Sequence, residues 1–224
     1  MVITIDGPAA SGKGTAARGL AARLGFDYLD TGAMYRAVAY AVQQRGLPCT
    51  DAAAVEALLP QLHLEVVPPR LLIDGRDVTE QLRTPQVAQG SSQVAVLPAV
   101  RAFLVDLQRR FAQGRHLVTE GRDQGSVVFP HAELKFFLTA DPRIRARRRW
   151  LELHQRGLPI DYDTVLAELN ERDQRDCTRQ DSPLRQPADA IVIDSTDLTA
   201  EQVVDLMETI ARQRLALAPA FRSP

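Results

Sequence analysis

Val2-Ile-Thr-Ile-Asp-Gly-Pro-Ala-Ala-Ser-Gly-Lys-Gly-Thr15 is the stretch that decides the architecture. Val2–Ile5 is an apolar run that reads as a strand. A turn with Gly7 and Gly12 comes next, and helical spacing of Ala16, Ala17, Leu20, Ala21 and Leu24 predicts a helix over 13–24 that stops at Gly25. Strand, glycine-rich turn and helix in this order form a phosphate cradle. The glycines let consecutive N–H groups point inward, Lys13 adds a positive charge, and the helix adds its dipole. The spacing G-x-x-x-x-G-K is that of a P-loop, and an ordinary tight turn would need neither the lysine nor the strand. The expected triphosphate-binding residues are Gly7, Pro8, Ala9, Ala10, Ser11, Gly12, Lys13, Gly14 and Thr15. Position 14 is glycine where the general motif carries a magnesium-ligating Ser or Thr, and Thr15 comes one residue late. The motif therefore does not promise direct protein coordination of the metal; magnesium would be held mainly through the triphosphate and water.

Outward from this loop, short apolar strands alternate with helical stretches, which predicts a parallel sheet covered by helices. Strands are expected over 26–29, 116–119, 134–139 and 190–193, and helices over 33–44, 85–96 and 99–112. Further helices are expected after the Asp141-Pro142 start, over 161–176, and from the capping box Thr199-Ala-Glu-Gln202 to about Leu217. The runs 62–67, 70–73 and 76–78 differ in texture. They are broken by Pro68-Pro69 and Asp74-Gly75, and Asp-Gly between extended runs signals a hairpin, so they read as a small antiparallel insert. The tail 218–224 reads as frayed.

No apolar run is long enough to span a membrane, and strand-like sequence begins at once, which predicts no signal peptide. Cys49 and Cys177 lack metal or redox spacing and suit a reducing cytoplasm. Net charge is −1, which argues against a nucleic-acid-coating protein. The basic residues are instead clustered. Arg143, Arg145, Arg147, Arg148 and Arg149 lie close together, as do Arg172, Arg175 and Arg179. Guanidinium forks grip phosphate oxygens in pairs, and two such clusters around Gly157-Leu-Pro159 read as a movable anion clamp rather than a solvated face.

Two further constellations lie where an α/β sheet binds ligands, beyond the carboxyl ends of strands. After the second strand, Thr31 and Arg36 could face a second ligand, although capping alone accounts for Asp30 and Thr31. After the strand at 116–119 comes Glu120-Gly-Arg-Asp-Gln-Gly125. Arg122 and Asp123 set a fork donor beside a carboxylate, and a carboxylate accepts from an exocyclic amino group, which distinguishes cytosine from uracil.

The chain resembles the bacterial cytidylate kinases among the nucleoside monophosphate kinases. The resemblance rests on residues 3–8, 12–15, Asp30-Thr-Gly-Ala33 with Tyr35-Arg36, Ser91-Ser-Gln-Val94, Glu120-Gly-Arg-Asp123, Val127-Val-Phe-Pro130 and Glu171-Arg-Asp173 with Arg175-Asp176. Glu120, Gln124 and Ser126 stand where the family carries Asp, Met and Thr. The resemblance implies an α/β three-layer P-loop NTPase fold. It comprises a five-stranded parallel sheet flanked by helices, a monophosphate-binding lobe with the antiparallel insert, and a helical lid. The implied division is a core at about 1–30, 85–145 and 181–217, a lobe at 31–84 (insert about 62–80), and a lid at 146–180. It implies transfer of the γ-phosphoryl group of ATP to CMP or dCMP with Mg2+, in a cytoplasmic monomer that binds neither nucleic acid nor membrane. Lys13, Arg148, Arg149 and Arg175 would act on the transferring group. Thr31, Arg36, Arg122 and Arg179 would surround the acceptor phosphate, Ser92, Arg101 and Asp123 would read the base, and Arg172 and Asp176 would lie near the sugar. The alternatives are a kinase of UMP or AMP and a non-catalytic P-loop nucleotide-binding protein.

Overall fold

The computed structural model describes residues 1–179 and 181–216. The chain begins with β1 (Val2–Asp6), α1 (Lys13–Leu24), β2 (Asp27–Asp30) and α2 (Thr31–Gln44). Next come α3 (Ala52–Leu58), β3 (Leu64–Val67), β4 (Arg70–Ile73), β5 (Arg76–Asp77), α4 (Pro85–Val94) and α5 (Pro98–Ala112). The remainder contains β6 (Leu117–Gly121), β7 (Leu134–Thr139), α6 (Pro142–Gln155), α7 (Tyr162–Thr178), β8 (Ile191–Asp194) and α8 (Ala200–Arg214). The expected five-stranded parallel sheet is present, in the order β2-β6-β1-β7-β8. The insert is present as the separate antiparallel sheet β3-β4-β5. Asp74 and Gly75 both take positive φ (51° and 75°) in its hairpin, the backbone that a two-residue turn between antiparallel strands requires.

β1 is central because both of its faces are buried, Ile3 and Ile5 on one and Thr4 and Asp6 on the other. Ile3 and Ile5 are fully buried, as are Leu117 and Val118 of β6 and Phe136 of β7. Such strands fit only where helices cover both faces of a parallel sheet. Register then positions the site. Asp6 lies opposite Gly121, so Gly7 and Arg122 leave the sheet as neighbours at the carboxyl ends of β1 and β6.

The chain packs as two compact units. The first comprises Met1–Asp27 and the chain from His116 on, with the phosphate loop, β1, β6, β7, β8, α1, α6, α7 and α8. The second, Tyr28–Arg115, holds α2 packed on α4, together with α3, α5 and the insert. β2 straddles the boundary, and Asp27 N–H donates to His116 O (2.8 Å) within the first unit. No helix of the described residues is long and apolar enough to cross a membrane.

Some elements differ from the sequence expectation. α3 is an additional helix, capped by Asp51, whose carboxylate accepts from Ala54 N–H (3.1 Å). α4 ends at Val94 rather than 96, because Pro98 holds Leu97 extended (φ −80°, ψ 120°) and the chain must leave the helix before it. α7 runs to Thr178, past the expected 176. α8 opens on the expected capping box and closes at Arg214; Leu217 and the tail 218–224 lie outside the described residues.

Gly7 has φ +151°, and a Cβ there would sit 2.0 Å from the Leu138 carbonyl oxygen. Backbone of β7 cannot yield as a side chain can. Gly7→Ala is expected to lower unfolding free energy by about 3 kcal/mol in urea titrations. An unchanged midpoint would show that the loop accommodates the methyl.

Candidate active site

The phosphate loop spans residues 7–12, between the end of β1 and the start of α1. Gly12 takes φ +92° at the N-terminus of α1, and no side chain caps that helix. Its first-turn N–H groups and its dipole therefore face outward from the sheet edge, ready for an anion. Ala10 also takes a left-handed conformation (φ +57°), which costs a residue with a Cβ roughly 1–2 kcal/mol. Lys13 is 5% exposed, and its Nζ turns back on the loop, donating to Pro8 O (2.6 Å). Burial, then repulsion from Arg122, lowers its pKa to about 7 against a partial pull from Glu120. The lysine thus stands in a field where its charge is poorly supported by the protein alone.

At the end of β6, Arg122 Nε donates to Asp176 Oδ2 of α7 (2.7 Å), in a largely buried pair. Burial opposes the charge of Arg122, but Asp176 outweighs it and holds the guanidinium above its usual range. Burial likewise opposes the Asp176 carboxylate, and Arg122 outweighs it, so Asp176 stays below its usual range. Arg172 is exposed as a residue, yet desolvation of its head group and repulsion from Arg122 lower it to about 10. Asp123 is 4% exposed. Arg122 and Arg172 are thus within electrostatic reach of both Lys13 and Asp176.

The other expected residues of this unit are held locally. Arg148 donates to Ser195 O (2.5 Å), Ser195 Oγ (3.0 Å) and Leu198 O (3.3 Å), in the turn after β8. Arg149 pairs with Glu152 (2.9 Å) and Arg175 with Glu171 (2.7 Å), each within one helix turn. Arg179 Nε donates to Ser182 O (2.7 Å). Thr15 is exposed on the first turn of α1.

In the second unit, Asp30 caps α2 by accepting from Ala33 N–H (2.7 Å) and pairs with Arg36 Nη2 (3.3 Å). Thr31 is buried, and Arg101, 5% exposed, donates to Tyr35 Oη (3.1 Å). Ser92 is half-buried on α4. Capping therefore does explain Asp30, and the same carboxylate holds Arg36 at the start of the helix.

Sequence patterns alone do not mark Asp6. Its two carboxylate oxygens accept from Gln124 N–H (2.8 Å) and Gly125 N–H (2.7 Å). It thereby shapes the π-helical turn at 124–128 that comes after Arg122 and Asp123. The available signal is its place at the last residue of β1, directly before the loop. Arg145 and Asp173, which the motifs do not assign to the site, bind the loop itself.

A glycine-turned loop with a buried lysine, at the carboxyl end of the central strand of a parallel sheet, defines a P-loop nucleotide-binding protein. The solved structure of an uncharacterized protein from Eubacterium ventriosum has the same overall fold, at TM-score 0.53 and 12% identity, covering 94% of this chain and 97% of that one. Residues 3–213 match the cytidylate kinase family, and the chain belongs to that family. It is 46% identical over 223 residues to the cytidylate kinase of Azotobacter vinelandii, covering 96% of this chain and 97% of that relative. With the cytidylate kinase of Carboxydothermus hydrogenoformans the identity is 46% over 218 residues, covering 95% and 98%.

Burial, partly offset by the Gln124 and Gly125 hydrogen bonds, raises the pKa of Asp6 from the usual 3.8 to about 6. The folded chain holds this proton more tightly than the unfolded one. The corresponding stability is fully present below pH 4 and is lost as pH rises through 6. Relative to Asp6→Asn, which cannot titrate, the wild type is expected to lose roughly 2–3 kcal/mol of unfolding free energy between pH 4 and pH 7. Denaturant titrations at pH 4, 5.5 and 7 measure the difference; parallel curves would contradict the assignment.

Proposed function

We propose that the chain transfers the γ-phosphoryl group of ATP to CMP or dCMP, giving ADP and CDP or dCDP. The observation that carries this reading is the buried Lys13, close to Arg122 at the adjoining ends of β1 and β6, in a member of the cytidylate kinase family. An oxygen of the acceptor phosphate attacks the γ-phosphorus. The bond from that phosphorus to the bridging oxygen breaks, and its electron pair leaves with ADP. No residue needs to be a strong base, because the attacking oxygen is already anionic. The protein's task is to align the groups and neutralise charge spread over the phosphoryl oxygens.

Lys13 and the N–H groups of the loop and of the first turn of α1 would hold the β- and γ-phosphates. Arg149 and Arg175 are suited to join them. Their pairs with Glu152 and Glu171 are surface contacts within one helix, worth under about 1 kcal/mol, which a triphosphate outcompetes. Arg148 reaches the nucleotide by exchanging its carbonyl partners in the 195–198 turn. Among the described residues, no group of three or more His, Cys, Asp or Glu could hold a metal ion. A magnesium ion would arrive with the triphosphate and be held mainly through phosphate and water; the Thr15 hydroxyl on the first turn of α1 is exposed. When bound, the ion would supply charge neutralisation for the phosphate oxygens.

For the acceptor, we assign Arg122 and Arg179 to the phosphate, Asp123 to the exocyclic amino group, and Arg172 with Asp176 to the sugar. In the second unit we assign Thr31 and Arg36 to the phosphate and Ser92 and Arg101 to the base. The capped, well-anchored start of α2 supports the role of Arg36, since its guanidinium is already held at a helix N-terminus. Two unbridged cysteines, buried Cys49 and exposed Cys177, support a reducing, cytoplasmic setting.

An ADP-release assay with CMP, dCMP, UMP and AMP tests the reading. CMP and dCMP are expected to exceed UMP in kcat/KM by at least about tenfold, and Asp123→Ala is expected to erase most of that margin. Preference for UMP or AMP would replace the acceptor. ATP binding without turnover on any acceptor would leave a non-catalytic nucleotide-binding protein.

A further inference from the structure

Ala9, in the middle of the phosphate loop, is held by two helices far away in sequence. Its N–H donates to Asp173 Oδ1 of α7 (2.9 Å). Its carbonyl accepts from Arg145 Nη1 of α6 (3.0 Å). Its methyl is 3% exposed, in an apolar cluster with Ala146, Leu153, Val165 and Leu169 of the same two helices. Arg145 and Asp173 are themselves paired (2.5 Å), and Arg145 Nε donates to Ala140 O (3.0 Å). One guanidinium and one carboxylate thus saturate both polar groups of a single loop residue.

The next residue makes this grip significant. Ala10 takes φ +57° without being glycine. The stretch Pro8-Ala9-Ala10 has no glycine to make such a bend easy, unlike the Gly12 end of the loop. A neighbouring structure must impose the bend, and the Arg145–Asp173 pair touches the residue immediately before it. Asp173 also adjoins Arg172 and lies on the helix that carries Arg175 and Asp176.

We propose that Arg145 and Asp173 are positioning residues that hold the Ala9–Ala10 peptide in its phosphate-binding shape, and so couple α7 and its arginines to the nucleotide phosphates. This rests on the reading of the loop as the ATP phosphate site. The pair does not touch the reacting atoms; it acts through the loop backbone. A buried pair of this kind is a weak source of net stability, and its use lies more readily in fixing one geometry over others.

The test separates geometry from stability. ATP binding is measured by calorimetric titration, and melting temperature by the fluorescence of Trp150, the single tryptophan, which packs against the same cluster. Wild-type protein is titrated first, and failure to bind ATP there would refute the nucleotide reading rather than the coupling. The double variant Arg145→Met with Asp173→Leu removes both charges without stranding either. It is expected to weaken ATP binding roughly tenfold, the loss of about two hydrogen bonds to the loop. Adding Ala10→Gly, which takes the bend freely, is expected to recover roughly half of that loss on a logarithmic scale. Asp173→Asn keeps the volume and one oxygen for Ala9 N–H, and carries the same test if the double variant does not fold, with a loss of roughly threefold and the same rescue. A bridge that only stabilised the fold would lower the melting temperature without any rescue of ATP affinity by Ala10→Gly. Wild-type affinity in the variants, or a loss that Ala10→Gly leaves untouched, would overturn the proposal.

Discussion

A buried ammonium beside a guanidinium is the constraint on which the site depends. Lys13 is withdrawn from water, Arg122 and Arg172 repel it, and the pulls of Glu120 and Asp6 compensate only in part. Among the described residues, no carboxylate forms an ion pair with Lys13. The protein offers a carbonyl, Pro8 O, and outward-facing helix N–H groups. Each of those donors and charges is satisfied by the same chemistry, a polyanion with several oxygens. The stability given up in burying Lys13 is returned when phosphate arrives, which makes binding energy available for positioning the reacting groups.

The rest of the first unit keeps that arrangement fixed. β1 is buried on both faces and in register with β6, so the loop and the Arg122–Asp123 turn emerge side by side. Asp6 then stitches the two together, since one carboxylate at the end of β1 accepts from both N–H groups that open the turn after Asp123. Arg122 is aimed in turn by Asp176 from α7. Charge is therefore matched pairwise around the loop, as in Arg122–Asp176 and Arg145–Asp173, and poorly matched at Lys13.

Much of this is legible in the sequence. The P-loop spacing, the apolar strands and the Asp-Gly hairpin are local patterns, and local patterns fix local structure. α1, β4 and β7 fall over the residues that periodicity predicts, and the Thr199 capping box forms as its spacing requires. α3 escapes that periodicity, although Asp51 ahead of an alanine-rich run is an ordinary cap signal; Pro60 and its short length mask it. The π-helical turn at 124–128 has no local signature, because a carboxylate more than a hundred residues earlier shapes it. Arg145 and Asp173 are likewise hidden inside charge-rich helices, where the sequence marks basic clusters but does not show which member turns inward to the loop.

The most direct test of the account is the proton taken up when ATP binds. At pH 8 Lys13, with a pKa near 7, is mostly neutral, and phosphate contact should restore its ordinary basicity. Calorimetric titration in buffers of differing ionisation enthalpy is expected to show net proton uptake on ATP binding at pH 8 that shrinks toward pH 6 and is absent in Lys13→Met. Binding at pH 8 with no proton uptake, or the same uptake in Lys13→Met, would contradict the claim that the loop lysine is held short of its charge until the phosphates arrive.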